Sequence, residues 1–484
     1  FPLYTRLHRH MPSLYTYSLI VFGLYAFFSS CQKDTFNTDS GSQIIINRDT
    51  LWFDTVFTKV NGTTPKSVNK QILIFNPYDQ RIKTSIRLGG GDQSHFRLNV
   101  DGEPGSSFTD IELFPNDSIF IFVEVHPNPN NNSPDFNPLI IRDSILFNTN
   151  GNKSKTMLIG WGQDAHYIFR DSIEVDTTWA NDKLPIVVYG YCYVKPNVKL
   201  NIEAGMNIHF APRSWLFVEG TLAMKGSKDK PVMMQGDRLQ PSWEEKSGQW
   251  GGIWISHPSH SNTIEHALIK NGTVGVYCDS VPGDLSKPNV TIQKTMIRNM
   301  RFDGISGKGS TIHVENSVSS NCGRFTFLGA NGGNYTVLNS TFYTGGRDFF
   351  RQEPTFAYLN RRRDEFGSIL ETYDIQFKFI NNIIDGILKD SEIGEDIDYS
   401  KVITPSVVDY NLLKTNKSIY SSTGSNNIIN QNPLFKDAYN YNFDLDTLSA
   451  AKDLGVRLTP DISDDFLDRP RLNTPDIGAF ESQY

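Results

Sequence analysis

Between residues 44 and 165, apolar and polar positions alternate in short runs closed by turn residues. Examples are QILIFNP (71–77), SIFIFVEVHP (118–127), DSILFNTNG (143–151) and KTMLIGWG (155–162). A period of two over such lengths predicts strands with one face buried. Several of them within about 120 residues predict a β-sandwich. From about residue 184 the pattern changes. VKLNIEAGMNIHFAPRSWLFVEGTLAMKGSKDKPVMMQGDR (198–238) consists of apolar runs cut by Gly, Pro and Asn, and QWGGIWI (249–255) follows. No long stretch beyond residue 43 carries the helical apolar period, so the expected fold class is all-β.

The second region repeats. IEHALIKNG (264–272), IQKTMIRNM (292–300), VENSVSSNC (314–322), VLNSTFYTG (337–345), FINNIIDGI (379–387) and VDYNLLKTN (408–416) align, with starts 28, 22, 23, 42 and 29 residues apart. Stacked units of this length with variable loops predict a solenoid. Asn271, Asn299 and Asn321 share a column. Asn tolerates the left-handed conformation of a tight turn, and stacked Asn side chains bond along the stacking axis, so this column is expected to be a structural ladder.

On these residues the region at 184–484 resembles right-handed parallel β-helices, in which V-E-G-T-L and W-G-G-I recur. Its end, DRP (468–470) then PDIGAFE (475–481), resembles the closing segment of a large bacterial family of secreted β-helix proteins. The resemblance implies a β-helix with a C-terminal cap, and export, but no single activity. Residues 44–168, with Asn76-Pro77 after an apolar strand and P-N-D-S (115–118) before a late one, are similar to immunoglobulin-like domains of the ASPM and Hydin kind, which implies a spacer or docking module.

The N-terminus adds a location. Residues 14–28, LYTYSLIVFGLYAFF, are apolar over a length short of the roughly 20 residues of a membrane span, and fit a signal-peptide core. Ser29, Ser30 and Cys31 follow. This resembles a lipobox, although Phe28 stands where Leu is usual. It implies acylation of Cys31, removal of residues 1–30 and a tether over residues 31–43. Gln32, Lys33 and Asp34 resemble the export signal of Bacteroidota surface lipoproteins. The expectation is a lipid-anchored outer-membrane protein facing the exterior, with the membrane as one partner. Asp-Ser/Thr triplets such as Asp117-Ser118-Ile119, Asp143-Ser144-Ile145 and Asp171-Ser172-Ile173 resemble O-glycosylation acceptors of the same phylum. They are also ordinary strand entries.

Charge narrows the partners. The 46 basic and 53 acidic residues give a net charge of −7, which argues against a nucleic-acid binder. Cys192, Cys278 and Cys322 have no metal or redox spacing and are expected to be buried small hydrophobes.

Candidate chemistry is sparse. No repeat column carries paired carboxylates on adjacent units, as glycoside hydrolysis needs. No catalytic residue, metal site or cofactor is assigned. DSEIGEDID (390–398) offers calcium ligands only in Glu392, Glu395, Asp396 and Asp398, without a regular loop pattern. The 42-residue interval contains GGRDFFRQEPTFAYLNRRRDEFG (345–367). Its Arg347, Phe349, Phe350, Arg351, Tyr358, Arg361, Arg362 and Arg363 are residue types of recognition hot spots, or else one irregular extra coil with core aromatics. Trp243 and Trp250 in QPSWEEKSGQW (240–250) form a second candidate. The expected function is non-catalytic binding of glycan, or docking on an outer-membrane protein complex. The rival is a β-helix polysaccharide lyase or glycoside hydrolase.

Overall fold

The computed structural model describes residues 35–60, 68–129, 138–279, 287–345 and 349–482. The chain is all-β, and its contacts divide it into two units, with Ile140–Gly160 closing the first and Trp161–Tyr484 forming most of the second.

The first unit holds two five-stranded sheets. One runs in the order Ile45–Ile46, Lys70–Phe75, Ser118–Val125, Phe96–Val100, Glu103–Gly105. The other runs Thr50–Phe57, Asn152–Gln163, Leu139–Thr149, Ile82–Leu88, Ser107–Leu113. The apolar members of each alternating run turn inward. Ile72, Ile74, Ile121 and Val123 of one sheet are fully buried, as are Ile86, Ile145 and Leu158 of the other. The faces meet where the Phe53 and Phe96 rings lie 5.4 Å apart. The Asn-Pro motif has a physical role. Asn76 is buried and donates its side-chain amide to the carbonyls of Gln80, Leu113 and Phe114, closing a strand end that would otherwise bury unpaired acceptors.

The second unit is built on one 25-stranded sheet whose inter-repeat pairings are parallel. Strands recur in three stacked series. One series contains Ile186–Val194, Trp215–Val218, Gly252–Ser256, Val276–Asp279 and Ile305–Glu315. A second contains Asn262–Glu265 and Val290–Gln293. A third contains Met296–Arg298, Val318–Ser320, Thr341–Thr344 and Ile383–Gly386. The six aligned repeat starts are direct register partners: Ile264, Ile292, Val314, Val337, Phe379 and Val408. Parallel pairing begins earlier than residue 184, at His166 opposite Ile186. The alternation of HYIFRDSI reads the same in either kind of sheet.

One apolar core runs through the stack, with Phe210 on Trp250 at 4.3 Å and Phe327 on Phe356 at 4.5 Å. Cys192, Cys278 and Cys322 lie in it as free buried thiols. Polar ladders hold the corners. Asn271, Asn299 and Asn321 have φ of 67°, 57° and 51°. Asn321 donates to Asn299 Oδ1 at 2.6 Å, and Asn299 to Asn271 Oδ1 at 3.4 Å. A second ladder escaped the sequence reading. The backbone N–H of Thr295, Ser317, Ser340, Asn382 and Asn411 each donates to the side-chain oxygen of Ser317, Ser340, Asn382, Asn411 and Asn427, respectively.

Two expectations change. The 42-residue interval is not an extra coil. It is one repeat that keeps its strand, Phe356–Leu359, between Phe327–Leu338 and Ile393–Asp396, and adds an antiparallel hairpin, Arg361–Arg363 with Ile369–Thr372. The closing DRP and DIGAFE segment does not cover an end of the stack. It lies along one side, where Arg471 donates to Asn316, Gly478 N–H to the Asn381 carbonyl and Ala479 N–H to Thr341. Phe480 and Ala479 pack with Val318 and Phe443, and Lys294 is clasped by Asp464 and Asp468. A segment crossing several repeats ties them together through side chains that no single repeat supplies.

Candidate binding face

The outward positions of the first strand series carry a row of aromatic rings. Tyr193, Phe217, Trp254 and Tyr277 are successive register partners. Each follows and precedes an inward aliphatic or Cys in the triplets CYV, LFV, IWI and VYC, and each keeps part of its ring exposed. Parallel strands about 4.8 Å apart bring such side chains into contact. Phe217 lies 5.8 Å from Trp254, and Trp254 meets Tyr277 edge-on at 5.2 Å. Trp215 widens the row, 6.0 Å from Phe217 and 5.9 Å from Trp254. The sequence around W-G-G-I makes this possible. A Cβ on Gly251 would fall 2.2 Å from the Trp215 ring, and one on Gly252, whose φ is 148°, would fall 2.2 Å from the Val274 carbonyl. Trp215 therefore lies across bare backbone.

Polar groups border the rings. The Tyr193 hydroxyl donates to Glu219 at 2.6 Å, a bond that raises its pKa. Tyr277 is raised to about 12 by burial first and then by the charge and hydrogen bond of Asp279. Asp279 is in register with Ser256 on one side and Lys308 on the other. The Trp254 indole N–H is buried without a hydrogen-bond partner among the described residues. The result is a row of partly exposed rings, tilted or edge-on to one another at Trp254, edged by carboxylates and a lysine. It suits a flat ligand with apolar faces and hydroxyl rims.

The sequence-predicted candidates scatter. Cys31, Gln32, Lys33, Asp34 and Arg347 lie outside the described residues. Trp250, Arg351 and Tyr358 are corrected from surface to interior. Trp250 stacks on Phe210 and donates its indole N–H to the Lys270 carbonyl at 2.9 Å. Arg351 is wholly buried against Glu392. The Tyr358 hydroxyl is buried between Glu395 and Tyr420. Phe350 is exposed and Phe349 half-buried. Arg361 and Arg363 both pair with Asp396, and Arg362 with Glu371. Trp243 is exposed beneath the Arg238 guanidinium at 4.8 Å. The calcium candidates have separate protein partners: Glu392 holds Arg351, Glu395 accepts from two tyrosines, Asp396 holds two arginines, and Asp398 accepts from Ser400. No cluster of three metal-ligating side chains occurs among the described residues. Nothing in the sequence reading picked out the aromatic row. Its signal is the aliphatic–aromatic–aliphatic triplet recurring in a strand series that the repeat alignment did not cover.

No family model matches the chain, and no curated protein does. Solved structures with partial likeness include a family 123 glycoside hydrolase from Clostridium perfringens. It has 8% identity and a TM-score of 0.18, over 25% of this chain and 26% of that one, so the chain spans about a quarter of that enzyme's length. They also include WR4, a C. elegans MSP family member (11%, TM-score 0.16, 25% and 98%), and the CooA pilin subunit from enterotoxigenic Escherichia coli (5%, 0.17, 25% and 97%). At these scores the likenesses carry no argument about function.

Proposed function

We propose that this protein is a lipid-anchored, outward-facing outer-membrane protein whose long parallel sheet is a right-handed β-helix that binds glycan without cleaving it. The sandwich unit, of immunoglobulin-like kind in this reading, serves as a spacer. The observation that carries glycan binding is the in-register row of Tyr193, Phe217, Trp254 and Tyr277. Partly exposed rings in a straight row forgo burial, and they offer a saccharide chain one stacking surface after another. Carboxylates at the border accept from ring hydroxyls. The test is retention of the intact protein on immobilised xylan, mannan and β-glucan. Trp254→Ala with Phe217→Ala should abolish retention on whichever glycan the native protein binds, since loss of a central aromatic anchor costs about 2 kcal/mol or more. Unchanged retention removes the row from the site.

A second reading rests on Glu219 and Asp279. Glu219 bonds Tyr193 and Asp279 follows Tyr277 on its strand, so both stand beside the row and offer two carboxylates to a bound chain for hydrolysis.

A further inference from the structure

A cleft of about 490 Å³ opens in the third strand series, between the strand ends near Tyr343 and Asp385 and the segment around Asn430. Its size fits one small ligand unit. Asp385 is half-buried there. One carboxylate oxygen accepts the Gly386 N–H at 2.8 Å, and the other has no partner among the described residues. Burial raises its pKa. Lys414 donates to the Gly386 carbonyl beside it. Lys389 lines the cleft, exposed and in no ion pair among the described residues.

The amides add direction. Asn416 uses its oxygen to accept from Asn430 at 3.4 Å, and Asn432 uses its oxygen to accept the Leu434 N–H at 2.9 Å. Each therefore has its NH2 group left over as a donor. Tyr343 supplies a firm wall, since its ring is held edge-on by Phe435 and Phe443 at 5.4 and 5.7 Å. The cleft thus sets two ammonium groups against one carboxylate, one oxygen of which has no partner among the described residues.

We propose that this cleft binds a single hydroxylated sugar unit carrying one negative charge. The anionic group meets Lys389 and the amides of Asn416 and Asn432, and a ring hydroxyl donates to Asp385. The site is separate from the aromatic row and does not depend on the glycan-binding reading.

Calorimetry on the intact protein tests it with three probes: methyl glucuronide, glucose 6-sulfate and methyl glucoside. One or both anionic probes should bind, and the neutral one should not. Which anionic probe binds tells carboxylate from sulfate. Lys389→Ala with Asn416→Ala, both at exposed positions, should weaken binding at least about tenfold with an unchanged melting temperature. Asp385→Asn should weaken it as well. The proposal is overturned if neither anionic probe saturates the protein by about 10 mM. Equal binding of methyl glucoside overturns it too, as does unaltered binding by the double variant. Binding lost in Trp254→Ala but kept in the cleft variants would assign the sugar to the aromatic row and also overturn it.

Discussion

Arg351 and Glu392 form a closed ion pair in which Nη2 reaches both carboxylate oxygens, at 2.9 and 2.8 Å, with neither side chain exposed. Glu392 also accepts the backbone N–H groups of Thr355 and Leu388. The arginine of a segment rich in recognition-type residues is thus a brace that fixes the entry to the strand Phe356–Leu359.

Arg351→Ala should therefore destabilise the second unit by about 3–5 kcal/mol, because it strands a buried carboxylate. Pairing Arg351→Met with Glu392→Leu should recover only part of that loss, since the two N–H groups then lose their acceptor. Arg362→Ala, on an exposed hairpin strand, should stay within about 0.5 kcal/mol of the native protein. Urea denaturation followed by circular dichroism measures all three. A harmless Arg351→Ala would mean that the pair is not closed.

Much of the fold was legible because alternation and repetition are direct imprints of strands. The six repeat starts share inward apolar side chains, and every one proved a register partner of the next. Parity was less legible. Trp250, Arg351 and Tyr358 were expected outside because of their residue types; Tyr358 lies on the strand Phe356–Leu359, where a shift of one residue exchanges faces, while Arg351 and Trp250, outside the strands, are buried by the Glu392 pair and the Phe210 stack. Composition does not say which parity a run adopts. Tyr193, Phe217, Trp254 and Tyr277 were missed for the same reason: aromatics among aliphatics read as core. The side position of the DIGAFE segment was hidden because its partners, such as Asn316 and Thr341, lie far away in sequence.

The Asn ladder predicts a graded cost. Asn299 holds φ near 57°, donates to Asn271 and accepts from Asn321 and from the Tyr441 hydroxyl at 2.7 Å. Asn299→Gly keeps the turn but loses the bonds, at about 1–3 kcal/mol. Asn299→Ala adds the left-handed penalty of about 1–2 kcal/mol. The alanine variant should melt below the glycine variant. The reverse order would show that the left-handed conformation does not govern this corner.

Acid sensitivity should trace partly to His209. Burial holds its imidazole neutral and lowers its pKa from 6.5 to about 4, with Nδ1 3.0 Å from the Gly236 carbonyl. Between these values the unfolded chain binds a proton that the folded one refuses. Stability is then full above pH 6.5 and falls as pH drops towards about 4, by at most about 3 kcal/mol. His209→Gln should flatten that part of the curve of unfolding free energy against pH. An equally steep fall in the variant would place the sensitivity elsewhere.

The anchoring expectation is tested at residues before the described region. Cys31→Ala should release the protein from membranes or leave an uncleaved precursor, because durable attachment needs more than one acyl chain. Replacing Gln32, Lys33 and Asp34 with Ala should keep the anchor and lose accessibility to protease added to whole cells. A correctly cleaved, membrane-retained Cys31→Ala protein would rule out the lipid.

Glu219 and Asp279 decide between holding a glycan and cutting it. They lie two repeats apart, so at about 4.8 Å per repeat their backbones are roughly 10 Å apart. An inverting pair of carboxyl groups needs about 6.5–9.5 Å with room for water between. Glu219, however, already accepts the Tyr193 hydroxyl, and Asp279 that of Tyr277. Those bonds fit carboxylates that hold ring edges and sugar hydroxyls in place. Binding alone predicts no new reducing ends and no unsaturated product from any glycan the protein retains, even on long incubation. Glu219→Gln and Asp279→Asn should then weaken retention only modestly. Reducing-end release by the native protein that vanishes in Glu219→Gln, while retention persists, would make the face an active site.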